Sequence, residues 1–241
     1  MATSIHQQLK QHYVADENQH EVDLDGYRID AIDQQNRLIE IQCASLLAIR
    51  DKIQTLTAAG HQVVVVKPLA TRKKLLKKER QNGRVVSQRY SPAKETLPWI
   101  FRELVHFTSA FPHPNLQLDI LLTEQEEIRV PAKRKTWRRK HSVQDRCLVE
   151  VQDTISVTTA EDLWKILDAN VPEVFTTADL AKTTPMPRWL AQKAAYCFRT
   201  MNFIEVCGKQ GNAIEYRLIK TKAKPKARKS STKRPRRKKA A

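Results

Sequence analysis

The sequence of 241 residues contains no long run of apolar residues. No stretch approaches the ~18–20 consecutive apolar residues that a membrane-spanning helix needs, which argues against a membrane protein. The first residues also lack the basic start and the apolar run of a secretory signal peptide. We therefore expect a cytoplasmic protein with no membrane partner, associated with the nucleoid if it binds DNA.

Cysteine and glycine are scarce as well. The four cysteines lie far apart and form no CxxC pair, so we expect reduced thiols rather than disulfides or a zinc site. The five glycines fall where turns are expected. Asp25-Gly26 and Asn82-Gly83 are typical of hairpins, because a type I′ turn needs positive φ at both central residues. No GxGxxG, P-loop, GxSxG or HExxH motif occurs in the chain.

Positive charge, in contrast, is abundant. The chain has 43 Lys and Arg residues against 26 Asp and Glu residues, a formal net charge of +17. Twelve of the basic residues and no acidic residue lie in residues 220–241, which we predict to be a disordered tail, and removing them leaves +5 for the rest. Such a balance indicates an anionic partner, of which nucleic acid is the commonest.

The pattern of apolar residues divides the body into three parts with an overall α+β fold. Residues 1–68 predict an opening helix, strands at 20–24, 27–32 and 37–42, a helix capped by Ser45 and a Val-rich buried strand at 61–67. Residues 69–157 predict an α+β extension with a basic hairpin around Asn82-Gly83, a helix at 97–111 and strands at 115–122 and 147–151. Residues 158–219 predict three helices followed by a hairpin, the order of a winged helix.

Three polar residues stand out on the predicted strands of the first part. Asp30 follows a tight turn, and Glu40 and Gln42 lie two positions apart, so the last two share one face of their strand. If the strands pair, Asp30 and Glu40 come close enough to bind one ion. Two carboxylates and a backbone carbonyl are an oxygen set suited to Mg²⁺. We interpret Asp23 and Asp25 as turn residues rather than ligands.

These residues, with Glu21, Ser45 and the following helix and strand, resemble the PD-(D/E)XK nuclease superfamily across about residues 18–68. The likeness is greatest to the branch of CoiA-like nucleases, where E-x-Q often replaces E-x-K. The resemblance implies a phosphodiesterase dependent on Mg²⁺ or Mn²⁺ with Asp30 and Glu40 as metal ligands. It implies that Glu21 is an upstream acid and that Gln42 orients the attacking water. Members often act as dimers, so a homodimer is an open expectation.

The glutamine at position 42 departs from the commoner pattern. Its amide carries no positive charge, so it stabilises a developing negative charge less than a lysine does. Both active and inactive members of the superfamily show this exchange.

Basic residues predict where nucleic acid binds. The hairpin contributes Arg72, Lys73, Lys74, Lys77 and Lys78. A second run around Trp137 contributes Lys133, Arg134, Lys135, Arg138, Arg139 and Lys140. The winged-helix part contributes Arg188, Gln192, Lys193, Arg199 and Lys209, while Trp189 and Tyr196 are expected to pack. We favour DNA over RNA by analogy with other winged helices.

Two other interpretations stay open. The same fold without catalytic activity would be a DNA-binding or regulatory protein, and polar residues on an exposed sheet face would explain Asp30, Glu40 and Gln42. The basic tail also fits an RNA- or ribosome-associated protein.

Overall fold

The computed structural model describes residues 3–132 and 141–219. The helices are α1 (Ser4–Tyr13), α2 (Arg50–Ala58), α3 (Phe101–Leu104), α4 (Ala160–Leu167), α5 (Thr177–Thr183) and α6 (Arg188–Thr200). The strands are β1 (His20–Leu24), β2 (Tyr27–Ile32), β3 (Leu38–Ile41), β4 (Val63–Lys78), β5 (Val85–Tyr90), β6 (Leu116–Pro131), β7 (His141–Val157), β8 (Phe175–Thr176), β9 (Ile204–Gln210) and β10 (Ala213–Leu218). Helices and strands combine in an α+β fold with a mixed sheet.

The first part of the sheet is an antiparallel meander followed by a parallel crossover. β1, β2 and β3 pair in sequence, and α2 then returns the chain so that β4 lies parallel to β3. Both residues of the Asp25-Gly26 turn have positive φ, as the hairpin prediction requires. The predicted order of three strands, a helix and a strand is therefore confirmed.

Two helices cover the two faces of this meander. α1 places Ile5 and Leu9 in one apolar cluster with Ile39 and Val64. α2 places Ile53 in a second cluster, with Leu38 and Val63 among its members. Alternate residues of β3 and β4 therefore point into different cores, which explains the unbroken burial of β3.

Long strands extend the sheet beyond the meander. β4 runs without interruption past residue 68 and pairs in parallel with β6, while β7 pairs antiparallel with β6 at the far edge. The second half of β4 forms the predicted basic hairpin with β5, with Lys74 opposite Tyr90. Residues 1–68 and 69–157 thus share one sheet.

The prediction of a helix at residues 97–111 was wrong. A 3₁₀ turn at Leu97–Ile100 leads into the single helical turn of α3, and turns follow as far as residue 110. Phe101, Phe107 and Phe111 are all buried, so the segment packs on several sides rather than along one stripe. The β-branched, Ser and Thr residues after α3, and Pro112, disfavour continued helix.

The C-terminal residues build a second small sheet on three helices. α4, α5 and α6 precede the β9–β10 hairpin, as predicted, and the two-residue strand β8 pairs with β10. Trp164 contacts Phe175 and Phe198 within this unit. Phe198 also packs on Phe101 at 5.2 Å between ring centroids, which joins the unit to the large sheet's core. Across residues 3–132 and 141–219, none of the helices has the length and apolar character needed to cross a membrane.

Candidate active site and charged surfaces

Three acids predicted from the sequence lie in a row across neighbouring strands. Ala31 pairs with Ile39 and Ile32 with Leu38, so the antiparallel register continued by one residue sets Asp30 opposite Glu40. On the other side, His20 pairs with Ala31 and Val22 with Ile29, which sets Glu21 opposite Asp30. The meander therefore brings acids that are 9 and 10 residues apart in the sequence onto adjacent strands.

Asp30 is held by the helix on one side and by the neighbouring strand. His6 Nε2 of α1 lies 3.1 Å from Asp30 Oδ2, and the Ile41 backbone N–H donates to the same oxygen at 2.8 Å. Burial tends to raise the pKa of Asp30, but these two hydrogen bonds and the charged groups nearby, among them Lys52, together outweigh it, and the pKa lies below its usual value. Asp30 is therefore a stable carboxylate at neutral pH.

Glu40 is held from the other helix. Its side chain is almost fully buried and pairs with the ammonium of Lys52 on α2, which also donates to the Arg28 carbonyl at 2.6 Å. The pKa of Glu40 is raised to about 7, because burial and the Asp30 charge raise it more than the hydrogen bond and charge of Lys52 lower it. The charge of Lys52 also lowers the pKa of Asp30, so the two acids and the lysine interact as one group.

Glu21 lies at the outer end of the row with a strained backbone. Its φ is +55°, a left-handed conformation that costs a residue other than glycine about 1–3 kcal/mol. Lys10 and Arg28 both pair with its carboxylate, and the hydrogen bond from Lys10 is the main reason that its pKa is lowered. Glu21 is thus an ionised acid engaged by two cations.

Lys52, rather than Gln42, is the polar residue that reaches the acids. The Gln42 side-chain oxygen accepts from the Ala44 backbone N–H at 2.9 Å, within its own loop. Sequence reasoning missed both Lys52 and His6 because each comes from a helix outside the E-x-Q motif. The signal for Lys52 was its place in the first turn of the helix that follows the acidic strand.

The two carboxylates of Asp30 and Glu40 are suitable ligands for a hard divalent cation, but they are not a complete set. Asp30 and Glu40 offer carboxylate oxygens, the ligands that Mg²⁺ prefers. Within the described ranges, however, no group of three or more His, Cys, Asp or Glu residues is arranged to hold a metal ion. A metal bound by Asp30 and Glu40 would therefore need backbone, water or substrate oxygens as well.

The basic residues of β4 are largely paired with acids of β6. Arg72 lies 3.4 Å from Glu124 and Lys74 lies 3.2 Å from Glu126 on the facing strand. Lys73 lies 3.9 Å from Glu127, whereas Lys77 and Lys78 have no ion pair with a carboxylate of the described chain. Much of the predicted nucleic-acid surface on this hairpin is thus already neutralised, and such exposed pairs contribute little to stability.

The exposed side of α6 is different. Arg188, Gln192 and Arg199 lie on it at helical spacing, and no carboxylate within residues 3–132 or 141–219 forms an ion pair with them. Tyr196 lies on the same side with 44 % of its surface exposed, so the expectation that it packs was wrong. Trp189 contacts Trp99 edge-on but is also exposed. Lys193 is half-buried, and Lys209 is exposed near the tip of the β9–β10 hairpin. We call Arg188, Gln192, Tyr196 and Arg199 the α6 surface.

The remaining predicted basic residues lie outside the described residues. They are Lys133, Arg134, Lys135, Arg138, Arg139 and Lys140, together with residues 220–241.

Comparison with known proteins identifies the family but no activity. The chain belongs to the family described as "Domain of unknown function (DUF8091)", whose model matches residues 3–158. This match ends one residue after β7 and so leaves out the C-terminal unit. An uncharacterized protein of Treponema pallidum (strain Nichols) is 29% identical over 182 residues, covering 75% of this chain and 72% of that protein. No solved structure matches the chain.

Proposed function

We propose that this protein is a metal-dependent phosphodiesterase that binds duplex DNA and hydrolyses its backbone. The observation that carries the proposal is the group of Asp30, Glu40 and Lys52, which the meander and α2 bring together. Two carboxylates and a nearby ammonium are groups of the kind that phosphodiester hydrolysis with a bound Mg²⁺ or Mn²⁺ ion uses.

Asp30 and Glu40 would hold the metal ion. Bound there, the ion would lower the pKa of a water molecule and stabilise the negative charge that grows on the phosphate. Because the pKa of Glu40 is about 7, this residue is protonated in a substantial fraction of the molecules at neutral pH. Metal binding would therefore release a proton, and we expect metal affinity to increase as pH rises through about 7.

Lys52 would supply the positive charge that Gln42 lacks. Its ammonium already lies against Glu40 and acts on Asp30, so in this role it needs only a small movement toward a phosphate oxygen. His6 would keep the Asp30 carboxylate in place through its contact of 3.1 Å. The E-x-Q motif thus does not by itself argue against catalysis in this chain.

The α6 surface would hold the duplex. Two arginines and a glutamine on one side of the helix can contact phosphates and base edges, and an exposed tyrosine can stack. In winged helices the corresponding helix enters the major groove and the hairpin contacts the backbone, which gives Lys209 a role.

A plasmid-nicking assay tests the enzyme activity. The full-length protein is incubated with supercoiled, linear duplex, single-stranded and branched DNA in the presence of Mg²⁺ or Mn²⁺, with a chelator as control. We expect metal-dependent nicking of at least one substrate. Absence of cleavage on every substrate with both metals would contradict the proposed activity.

An inactive DNA-binding protein on the same fold is the second candidate. It is favoured by the contacts that engage both acids, Asp30 with the His6 imidazole and Glu40 with the Lys52 ammonium, and by the lack of a third His, Cys, Asp or Glu ligand within the described residues. Salt-dependent binding of duplex DNA without cleavage would support it. Preferential binding of an RNA duplex of the same sequence would favour an RNA-associated function instead.

A further inference from the structure

A small polar cavity lies beside the acids and is not used by the proposed hydrolysis. Its volume is about 270 Å³, and Cys43, Lys67, Lys73, Arg102 and Arg146 are among the residues that line it. The negative charge of Asp30 acts on the Cys43 thiol, so the cavity is close to the row of acids. Burial is the main reason that the pKa of Cys43 rises to about 11, which makes this thiol a poor nucleophile at neutral pH.

Lys67 is the most unusual residue of the cavity wall. It lies on the central strand β4 and only 4 % of its surface is exposed. Its ammonium donates to the Ala44 carbonyl, and no carboxylate of residues 3–132 or 141–219 forms an ion pair with it. Burying an ammonium is unfavourable, and burial lowers the pKa of Lys67 although the charges of Glu103 and Glu95 oppose that shift. The fold thus retains a costly cation in a cavity.

The surrounding charges leave the cavity positive. Arg102 pairs with Glu95 and Glu103, and Arg146 and Lys73 pair with Glu127, which also pairs with Arg129. Counting Lys67 with these groups gives five cations against three carboxylates, and including Asp30, whose charge acts on Cys43, leaves an excess of one positive charge. The wall therefore stays positive.

We propose that this cavity binds a phosphate group, with the Lys67 ammonium at its base and Lys73, Arg102 and Arg146 at its mouth. The guanidinium groups can donate bidentate hydrogen bonds to phosphate oxygens, and the excess positive charge favours an anion. A volume of 270 Å³ lies below the ~300–1,000 Å³ of pockets that enclose drug-sized ligands, so it suits a phosphate with a few waters rather than a base. The phosphate could be the terminal monoester of a nucleic-acid strand or a free phosphate compound.

This inference goes beyond the proposed hydrolysis because it needs neither a metal ion nor cleavage. Phosphate binding can be measured in a chelating buffer, where the acids have no metal. Failure to bind phosphate would leave the nuclease proposal intact, and a lack of cleavage would leave the phosphate pocket intact.

Calorimetric titration of the full-length protein with inorganic phosphate tests the pocket, at constant ionic strength. We expect saturable binding that is at least about tenfold weaker in Lys67→Met, which keeps the length of the side chain but removes its charge. Lys94→Met is the matched control, because Lys94 is exposed and close in sequence to Glu95 without lining the cavity. Its affinity should stay within about twofold of the unmodified protein.

The comparison of the two variants decides the question. Equal affinity in the unmodified protein and Lys67→Met, or equal weakening in both variants, would overturn the proposal, because surface cations or residues 220–241 would then bind the anion. We expect Lys67→Met to melt at the same or a higher temperature, since it removes a buried unpaired cation. If that variant does not fold, Lys73→Gln repeats the test with the same expected weakening.

Three further ligands identify the source of the phosphate. A short oligonucleotide with and without a terminal phosphate is compared with thymidine monophosphate. A gain in affinity from the terminal phosphate that Lys67→Met abolishes would assign a strand end. Binding of the mononucleotide alone, again lost in Lys67→Met, would assign a free phosphate compound.

Discussion

The large sheet and the C-terminal unit both carry basic residues, but only the C-terminal unit leaves most of them without acidic partners. On β4, Arg72 and Lys74 face Glu124 and Glu126 of β6 in parallel register. On α6, Arg188 and Arg199 have no such carboxylate within residues 3–132 and 141–219. Basic residues on exposed faces therefore differ between the two regions, because those of α6 are free to contact the backbone of a duplex whereas Arg72 and Lys74 of β4 are already paired.

The acids of the large sheet are of two kinds. Glu124 and Glu126 serve as partners for exposed cations, whereas Glu40 is buried and its pKa is raised. Perturbed acids of this kind are found disproportionately at functional sites. We therefore propose that hydrolysis takes place on the large sheet and that α6 binds the duplex.

Removing the charge of Lys52 should have the largest effect. In Lys52→Met we expect cleavage to fall about 100- to 1,000-fold, because the ammonium would stabilise negative charge on the phosphate. Gln42→Leu should reduce it less than about tenfold, because the Gln42 side chain bonds to Ala44 rather than to the acids. Rates of plasmid nicking measure both variants. Equal losses of cleavage rate in the two variants would assign a catalytic role to Gln42.

The buried Glu40 should make stability depend on pH. Its pKa rises from an ordinary 4.5 to about 7 in the folded chain, so the stability provided by its protonated form is present in acid and lost as pH rises through about 7. Glu40→Gln mimics the protonated form. The free energy of unfolding of Glu40→Gln, measured relative to that of the unmodified protein, should therefore increase between about pH 5 and about pH 8. The increase should be on the order of 3 kcal/mol or less, at ~1.36 kcal/mol per pKa unit.

Urea unfolding at the two pH values measures this difference. Glu79→Gln, a change at an exposed carboxylate, is the control and should show little pH dependence. A constant difference between Glu40→Gln and the unmodified protein would show that Glu40 is ionised throughout this range.

Charge removal on α6 and on β4 compares the two regions directly. The double variant Arg188→Gln and Arg199→Gln should weaken duplex binding about tenfold and reduce the salt slope by about 2. The matched double variant Arg72→Gln and Lys74→Gln should weaken binding less than about threefold, because both residues are already paired. Fluorescence anisotropy over a range of salt concentrations measures both. If the β4 variant instead loses more duplex affinity than the α6 variant, the duplex binds to the β4–β5 hairpin.

A change in helix capping should have the smallest effect. The Thr176 hydroxyl accepts from the backbone N–H groups of Ala178 and Asp179 at the start of α5. Thr176→Ala should cost about 1 kcal/mol of stability and leave cleavage unchanged. Thr183→Ala, at the other end of the same helix, should cost less than about 0.5 kcal/mol by thermal melting. A large loss of cleavage in Thr176→Ala would show that the C-terminal unit takes part in the chemistry.

Local patterns were enough to predict most of the fold. The Asp25-Gly26 turn, the alternation around Glu40 and the Val-rich strand fix the meander and crossover, because each is a property of a few neighbouring residues. The helix predicted at 97–111 failed because Phe101, Phe107 and Phe111 pack on several sides. A strand of two residues, such as Phe175–Thr176, is too short to leave a pattern.

The candidate site was predictable only where it lies on paired neighbouring strands. Asp30 and Glu40 lie on neighbouring antiparallel strands joined by a short connection, so their spacing was informative. Arg72 and Glu124, by contrast, are 52 residues apart, and their pairing depends on the register of parallel strands. Lys52 reaches Glu40 only through the path of α2, which the E-x-Q motif does not encode.

The most direct test is a comparison of two identical substitutions seven residues apart. Asp30→Asn removes a carboxylate of the row, whereas Asp23→Asn changes an exposed residue of β1. In the plasmid-nicking assay with Mg²⁺, we expect Asp30→Asn to lose at least about 100-fold in rate and Asp23→Asn to match the unmodified protein. Cleavage that survives Asp30→Asn undiminished would contradict the assignment of this row of acids as the hydrolytic site.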